Sequence, residues 1–189
     1  MKALVIAAAF AGLAGGANAQ DWGGGYVGVS AATGGGALDI TGAPFDFNMD
    51  SLPGLGIYAG YNHVMASNLV LGGEISYSAQ EGSDMPVNPY GYKGMLQARA
   101  RMGYAMGNLM PYLALGLAKT EFNLLNVLST DETGITFAVG ADYMVNDKMS
   151  LRFEYNEARF DGVGAPTILP PGAGDLTVQT LTIGAAFHF

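Results

Sequence analysis

The chain has no cysteine, only 13% charged residues and two histidines among its 189 residues. Without cysteine it can form neither a disulfide framework nor a thiolate metal site. The net charge is −8 and the sequence has no basic cluster, so it lacks the positively charged surface that binding to nucleic acid requires. Beyond its N-terminal stretch the chain has no apolar run of about 20 residues, the length that a membrane-spanning helix needs. These absences exclude disulfide-rich domains, nucleic-acid binders and helical membrane proteins.

The N-terminus has the composition of a secretory signal peptide. It has the three parts of such a peptide: a positive start, a small apolar stretch over residues 3–14 and the sequence Ala-Asn-Ala at 17–19. We therefore expect cleavage between Ala19 and Gln20. A membrane helix is the alternative, but this stretch is too short and too rich in Ala and Gly to span a bilayer.

The segment 177–189 alternates between apolar residues and small or polar ones. Successive side chains of a strand point to opposite faces, so one face of this segment is apolar along its length. The apolar positions are Leu181, Ile183, Ala185, Phe187 and Phe189. Segments of similar alternation lie near 25–33, 55–63, 69–79, 93–106, 110–120, 135–143 and 149–156. The mature chain is therefore predicted to form eight strands, each with one apolar face.

The connections between these segments alternate in length. Long ones, rich in Gly, Pro, Asp and Asn, lie at 34–53, 80–92, 121–133 and 161–175, and short ones at 65–68, 107–108 and 146–148. Bacterial outer-membrane barrels have an even number of strands, short periplasmic turns and longer external loops. A soluble β-sandwich is the alternative, but it needs neither this regular alternation nor a terminal Phe.

We therefore predict an all-β fold, an eight-stranded antiparallel transmembrane β-barrel of the outer-membrane type, over residues 20–189 after removal of a signal peptide of residues 1–19. The protein is expected in the outer membrane of a Gram-negative cell, with both termini on the periplasmic side. Outward aromatic residues near the strand ends fit the interfacial girdles of such barrels. They are Tyr61, Tyr104, Tyr143, Phe187 and Phe189 at the periplasmic level and Tyr77, Phe137 and Tyr155 at the outer level.

Ionisable residues of the strands point inward if the apolar face meets lipid. The predicted lumen set is Glu74, Arg99, Arg101, Asp142, Arg152 and Glu154. An eight-stranded barrel has an interior that side chains just fill, and an unpaired charge there is costly. We therefore expect an ion-pair network that plugs and stiffens the barrel, and a narrow ion path is the alternative. Tyr58 and Tyr112 also point inward, which requires facing glycines to make room for them.

Both ends of the mature chain carry motifs of a known family. The sequence Asp-Trp-Gly-Gly-Gly-Tyr-Val-Gly at 21–28 resembles the D-W-x-G-x-Y-V-G opening of small alphaproteobacterial outer-membrane proteins, a porin-like surface-protein family. That family shares the eight-stranded scaffold of the outer membrane protein A and X barrels. The last residues, with Phe187 and Phe189, resemble the C-terminal signal that the barrel-assembly machinery reads. Gly24 departs from the pattern, since relatives often have an aromatic residue there. The resemblance implies a surface or structural protein.

No catalytic or metal site and no cofactor is predicted. The two histidines, His63 and His188, fall at periplasmic strand ends and have no serine two residues away, so a lipid-A-modifying enzyme lacks its base and nucleophile. The many acidic residues of the long loops are expected to form a solvated rim. Divalent cations bridging them to lipopolysaccharide phosphates are the alternative, although no spaced ligand loop occurs.

We expect a structural or surface-interaction role, with a small-solute channel as the rival. The expected partners are outer-membrane lipid, lipopolysaccharide and the barrel-assembly machinery, and the protein is expected to be monomeric. The first long loop is also rich in apolar residues, which can seat a ligand or fold over the mouth of the barrel. Those residues are Leu38, Ile40, Phe45, Phe47, Met49 and Leu52.

Overall fold

A computed structural model describes residues 22–40, 47–50, 53–83, 90–124, 128–165 and 169–189. The predicted signal peptide and its cleavage site at Ala19 and Gln20 lie outside these residues. The strands are β1 Gly24–Ile40, β2 Phe47–Asp50, β3 Gly54–Val64, β4 Leu69–Ser83, β5 Tyr90–Tyr104, β6 Leu109–Leu124, β7 Leu128–Asn146, β8 Met149–Ala165 and β9 Leu169–His188. No helix in the described part of the chain is long and apolar enough to cross a membrane.

The strands form one closed antiparallel sheet in the order β2-β1-β3-β4-β5-β6-β7-β8-β9, which closes because β1 also pairs with β9. The short β2 and the longer β3 both pair with β1, at successive stretches of its length, so together they occupy one position in the wall. At the seam, Gly25 and Phe189 exchange backbone hydrogen bonds of 3.1 and 2.9 Å. The prediction of an eight-stranded antiparallel barrel is confirmed.

Side chains alternate between the outer surface and the lumen along each strand. In β3, for example, burial alternates residue by residue over most of its length. The outer surface carries large apolar side chains that are more than 60% exposed. Residues with this exposure include Val29, Ile57, Ile75, Leu115 and Ile183. Water contact over such an area is unfavourable by roughly 25 cal/mol per Å², and lipid removes that cost.

The barrel has two different ends. At one end, three short turns follow β3, β5 and β7, and both the first and the last described strand residues lie there. We call it the short-turn end. The positive φ angles of Asn68 and Gly107 belong to these turns, as their turn chemistry requires. The opposite end, where the longer hairpins project, is the hairpin end.

The prediction of long loops is wrong for most of the residues assigned to them, because the strands continue through these segments. In the third of these loops β6 pairs with β7 until Leu124 faces Leu128. In the fourth, β8 and β9 pair until Ala165 faces Leu169. All strands except β2 and β3 therefore have 15 to 20 residues, against the predicted ten or so. β-Bulges between Phe160 and Val163 and between Ser78 and Glu81 interrupt the period-2 alternation, so the regular pattern in the sequence ends before the strands do.

The projecting strands separate into two groups above the barrel wall. β7 and β8 pair as far as Ile135 and Arg159. Beyond that point β7 continues with β6 alone, and β8 continues with β9. The other neighbours stay paired, β4 with β5, β5 with β6, β9 with β1 and β1 with β2. The hairpin end therefore consists of two four-stranded projections rather than a continuous wall.

Candidate functional site in the barrel lumen

The six ionisable residues that the strand alternation directs inward lie together in the middle of the lumen, and all six are buried. Arg99 donates from Nη2 to Oε1 of Glu74 and from Nη1 to Oε1 of Glu154, the latter over 2.8 Å. Arg99 and Glu74 are direct cross-strand partners on β5 and β4. Glu154 lies on β8, across the lumen from β5. The Arg99 guanidinium on β5 thus links the neighbouring strand β4 with β8 on the opposite side of the lumen.

The other two arginines complete this network. Arg152 donates from Nε to Oδ1 of Asp142 over 2.9 Å and from Nη1 to Oε2 of Glu74 over 2.7 Å. Arg101 donates from Nη2 to Oδ2 of Asp142 over 2.7 Å. The three arginines and three carboxylates balance in charge, which is the condition under which ionised groups are tolerated in such an interior. We call the six residues the ion-pair layer.

Three tyrosines, one each from β1, β3 and β6, belong to the same layer. Tyr26 donates to Oε2 of Glu74 over 2.8 Å and accepts a hydrogen bond from Arg101. Tyr112 donates to Oε2 of Glu154 over 2.7 Å. Sequence reasoning placed two of these tyrosines inward but missed Tyr26, although it shares its parity with the inward Gly28. The layer is therefore larger than the charged residues alone indicate.

Guanidinium groups also stack on tyrosine rings. The Cζ atom of Arg101 lies 3.9 Å from the ring centroid of Tyr112, and that of Arg152 lies 4.1 Å from the centroid of Tyr58. Cation–π contacts are strongest when both groups are desolvated, as they are in this lumen. The rings thus cover the faces of the cations while carboxylates occupy their edges.

Glycines on neighbouring strands make room for the inward tyrosines, as expected. A Cβ on Gly140 would lie 2.7 Å from Cζ of Tyr112, and one on Gly28 would overlap the ring of Tyr58. The space that a Cβ would take on each of these glycines is thus occupied by a tyrosine ring.

An apolar cluster around Trp22 lies at the short-turn end of the lumen. This side chain is fully buried and packs with Val70, Met110 and Met144. Its Nε1 donates to the carbonyl of Gly107 over 2.9 Å, which fixes the indole under the β5–β6 turn. We call these four residues the tryptophan cluster.

His188 lies just above this cluster. Its ring meets Trp22 edge-on at 6.0 Å between centroids, and its Nε2 lies 2.9 Å from Oγ of Ser150. Sequence reasoning looked for a serine two residues away from each histidine and missed this contact, which strand pairing between β8 and β9 creates. Nδ1 of His188 has no hydrogen-bond partner within the described residues, so no acid orients the ring. His63, by contrast, is exposed on β3. The contact therefore lacks the third member of a hydrolytic triad.

A second apolar cluster lies towards the hairpin end of the lumen and includes side chains from β1, β5, β6, β8 and β9. We call it the apolar roof; its members are Leu38, Tyr92, Met95, Ala118, Ala158, Phe160, Val163, Leu176 and Val178. Leu38, one of the apolar residues of the first predicted loop, is 1% exposed here, which supports folding over the mouth. The other five lie outside the residues whose side chains the structure describes.

The remaining predicted site residues lie at the edge of the barrel. Phe187 and Phe189 are exposed on the outer surface of β9 and just beyond it. No group of three or more His, Cys, Asp or Glu residues that could hold a metal ion occurs in the described ranges. The lumen thus contains charges that neutralise one another, with a buried apolar cluster towards each end.

Comparisons with known proteins agree with this architecture. A family model described as "Outer membrane protein beta-barrel domain" matches residues 3–189. The 31 kDa outer-membrane immunogenic protein of Brucella melitensis is 32% identical over 167 residues, covering 71% of this chain and 69% of that protein. The 25 kDa outer-membrane immunogenic protein of Brucella abortus is 28% identical over 140 residues, and the match spans 64% of its length.

Solved structures show the same fold at low sequence identity. Neisserial surface protein A matches with a TM-score of 0.60 and 18% identity, covering 87% of this chain and 97% of that structure. Ail, the attachment invasion locus protein of Yersinia pestis, matches with a TM-score of 0.51 and 15% identity, covering 88% of this chain and 99% of that structure. At such identities the likeness concerns the fold alone.

Proposed function

The chain belongs to the family of outer-membrane proteins built on a β-barrel domain, and on that premise we propose that it is a non-conducting structural and surface-interaction protein of a Gram-negative outer membrane. Its barrel anchors the chain, and its hairpin end presents the contact surface. Both termini then lie in the periplasm, at the short-turn end, as short turns do in this class.

The observation that supports this proposal is the succession of three layers of buried side chains in the lumen. The tryptophan cluster, the ion-pair layer and the apolar roof follow one another along the barrel axis. An ion crossing this interior would have to displace paired charges and then leave water at each apolar cluster, which is unfavourable. A permanently closed lumen leaves the outer surface and the hairpins as the parts that can act.

The hairpin end supports a role in surface contacts. Its outward side chains are polar and exposed, and they include Lys119, Glu121, Asp131, Arg159 and Asp161. Polar projections beyond an apolar belt suit contact with water, lipopolysaccharide headgroups or other proteins. We propose lipopolysaccharide and outer-membrane lipid as the immediate partners, a monomeric barrel, and Phe187 with Phe189 as the signal for the assembly machinery.

Planar-bilayer recordings of the refolded mature protein test the closed lumen. We expect no discrete conductance steps from the unmodified barrel. We also expect none from Arg99→Ala, because both apolar clusters remain when the ion-pair layer is weakened. A small-solute channel predicts steps in the unmodified protein and larger ones in the variant. Steps from the unmodified protein would replace the structural role with conduction, and steps from the variant alone would show that the ion-pair layer, not the apolar clusters, blocks the lumen.

The role of a lipid-A-modifying enzyme has less support. His63 is exposed outside the lumen, and His188 is enclosed by rings without an acid partner among the described side chains. Cells that overproduce the protein are expected to keep the lipid A mass spectrum of control cells. A new lipid A species that disappears with Ser150→Ala would establish catalysis instead.

A further inference from the structure

Trp22 is buried although it lies outside the sheet. The strand β1 begins only at Gly24, whose ladder partner on β3 is Asn62. Trp22 therefore precedes the first ladder pair of β1, yet its side chain is 0% exposed. Its burial depends on side-chain contacts and on the hydrogen bond to Gly107, not on strand pairing.

The pocket that holds the indole of Trp22 is built from distant parts of the chain. Four strands contribute side chains to it, which are Val70 of β4, Met110 of β6, Met144 of β7 and His188 of β9. Since β1 and β6 lie on opposite sides of the wall, Nε1 of Trp22 reaches across the short-turn end to the carbonyl of Gly107. The pocket is therefore complete only when β4 to β9 all stand in the cylinder.

Backbone hydrogen bonds between neighbouring turns hold this pocket together without Trp22. The carbonyl of Asn68, in the β3–β4 turn, accepts from the N–H of Ala105 over 2.8 Å. The carbonyl of Asn108, in the β5–β6 turn, accepts from the N–H of Met144 over 2.8 Å. Because these bonds do not involve the indole, the pocket can form before Trp22 enters it.

The place of Trp22 in the chain connects the pocket to the seam. Gly25 exchanges backbone hydrogen bonds with Phe189, and Tyr26 pairs with His188. Three residues span at most about 10 Å when fully extended. The start of β1 can therefore move far from β9 only if the indole of Trp22 leaves its pocket.

We propose that Trp22 acts as a clasp for the seam. Its indole enters the pocket after the cylinder has closed, and it then keeps the start of β1 from separating from β9 at the short-turn end. A contact that forms after the folding transition state slows unfolding and leaves the folding rate unchanged. The clasp is a property of the closed barrel and does not depend on the proposed surface role.

Amide hydrogen exchange, followed by nuclear magnetic resonance of the isotope-labelled barrel in micelles, tests the effect on the seam. In Trp22→Ala, the amides of Gly25 and Phe189 are expected to exchange at least about 10-fold faster, because local opening no longer displaces a buried ring. The amides of Leu115 and Phe137, which face each other in the β6–β7 ladder, should change by less than about twofold. Equal acceleration at both places would mean general destabilisation and would overturn the proposal.

Phe153→Ala is the matched control for this experiment, since Phe153 of β8 is an aromatic residue on the outer surface. It removes a ring without changing the pocket and is expected to leave exchange at Gly25 and Phe189 unchanged. Unchanged exchange in Trp22→Ala, or an equal effect of the two variants, would show that the seam holds without the clasp.

Folding and unfolding rates test the order of events. The mature protein is folded into detergent micelles, and the faster-migrating band of unboiled samples in SDS gels measures the folded fraction. Trp22→Ala is expected to fold within about twofold of the unmodified rate and to unfold in urea at least about 10-fold faster. Much slower folding, or none, would show that Trp22 is needed to close the cylinder. That result, or an unchanged unfolding rate, would overturn the proposal.

Discussion

Glu74 holds a central position among the residues of the lumen, because three arginines and a tyrosine approach its carboxylate. It pairs with Arg99 and Arg152, lies 3.3 Å from Arg101 and accepts from Tyr26. Its removal leaves three guanidinium groups facing two carboxylates in a buried space. Stability at the residue scale therefore depends far more on this carboxylate than on any single charge at the hairpin end.

Glu74→Gln is expected to destabilise the barrel by about 3–5 kcal/mol, the usual cost of leaving a buried charge without its partner. The control is Asp131→Asn, which breaks the exposed pair with Lys119 and should cost at most about 1 kcal/mol. Urea unfolding followed by fluorescence measures both, since Trp22 is the single tryptophan and is buried. Equal effects of the two variants would contradict the role given to Glu74.

Glycine has a different role on the two faces of the wall. A Cβ on Gly140 would meet the Tyr112 ring at 2.7 Å and the carbonyl oxygen of Phe153 at 2.8 Å, whereas one on Gly73 meets nothing within 4 Å. Gly140→Ala is expected to destabilise by about 1–3 kcal/mol through overpacking, and Gly73→Ala to be near neutral. The same fluorescence titration compares them. A stable Gly140→Ala variant would mean that Tyr112 can move aside freely.

The sequence allows the direction of a side chain to be predicted, but not its contacts. Alternation alone was enough to place Glu74 and Arg152 on the inner face. Which inner residues meet across the lumen depends on strand tilt and stagger, which closure of the sheet determines. The contact between Ser150 and His188 could not be foreseen for the same reason, since it needs the register of β8 against β9.

The barrel parts of the strands contribute more to the fold than the hairpins that project beyond them. The lower parts of the strands carry the ion-pair layer and the apolar belt. The upper hairpins carry no member of that layer, and β7 and β8 no longer pair there. The strand ends at the hairpin end were predicted too early in β4 and β8, because β-bulges there interrupt the period-2 pattern. At this scale the sequence predicts the number and direction of strands but not their length.

Replacing residues 119–133 by a two-residue Asn-Gly turn is expected to leave a folded barrel. Ala118 and Gly134 face each other in the register, which is the geometry that such a turn connects. The unboiled protein should still migrate faster than the boiled protein in SDS gels. Its unfolding midpoint should be lower than that of the full chain, but by less than the midpoint of Glu74→Gln is lowered. Failure to fold would show that this hairpin nucleates or stabilises the barrel.

The whole molecule is asymmetric along its axis, with short turns at one end and projecting hairpins at the other. The alternation of long and short connections predicted this asymmetry, even though the long connections are largely strand. The three layers of buried side chains in the lumen could not be predicted as layers, because Leu38, Met95 and Phe160 come together only when the sheet closes. Closure is a property of the complete cylinder, not of any one segment.

Orientation in the membrane is tested with single cysteines on intact cells. Thr133→Cys, on the β6–β7 hairpin, is expected to react with a membrane-impermeant maleimide added from outside. Lys148→Cys, in the turn between β7 and β8, should react only after the outer membrane is disrupted. The reverse pattern would place the hairpins in the periplasm and remove the proposed surface role.

The pairing of β1 with β9 joins the beginning of the barrel to its last strand. The cylinder therefore cannot be completed during synthesis or export, since its final edge becomes available only after β9 has emerged. Until then, β1 and each newly added strand expose backbone groups to any other extended chain, a known route to aggregation. Contacts of such long sequence separation also form slowly. A cell that makes this protein must therefore keep the exported polypeptide apart from its copies until the seam has formed.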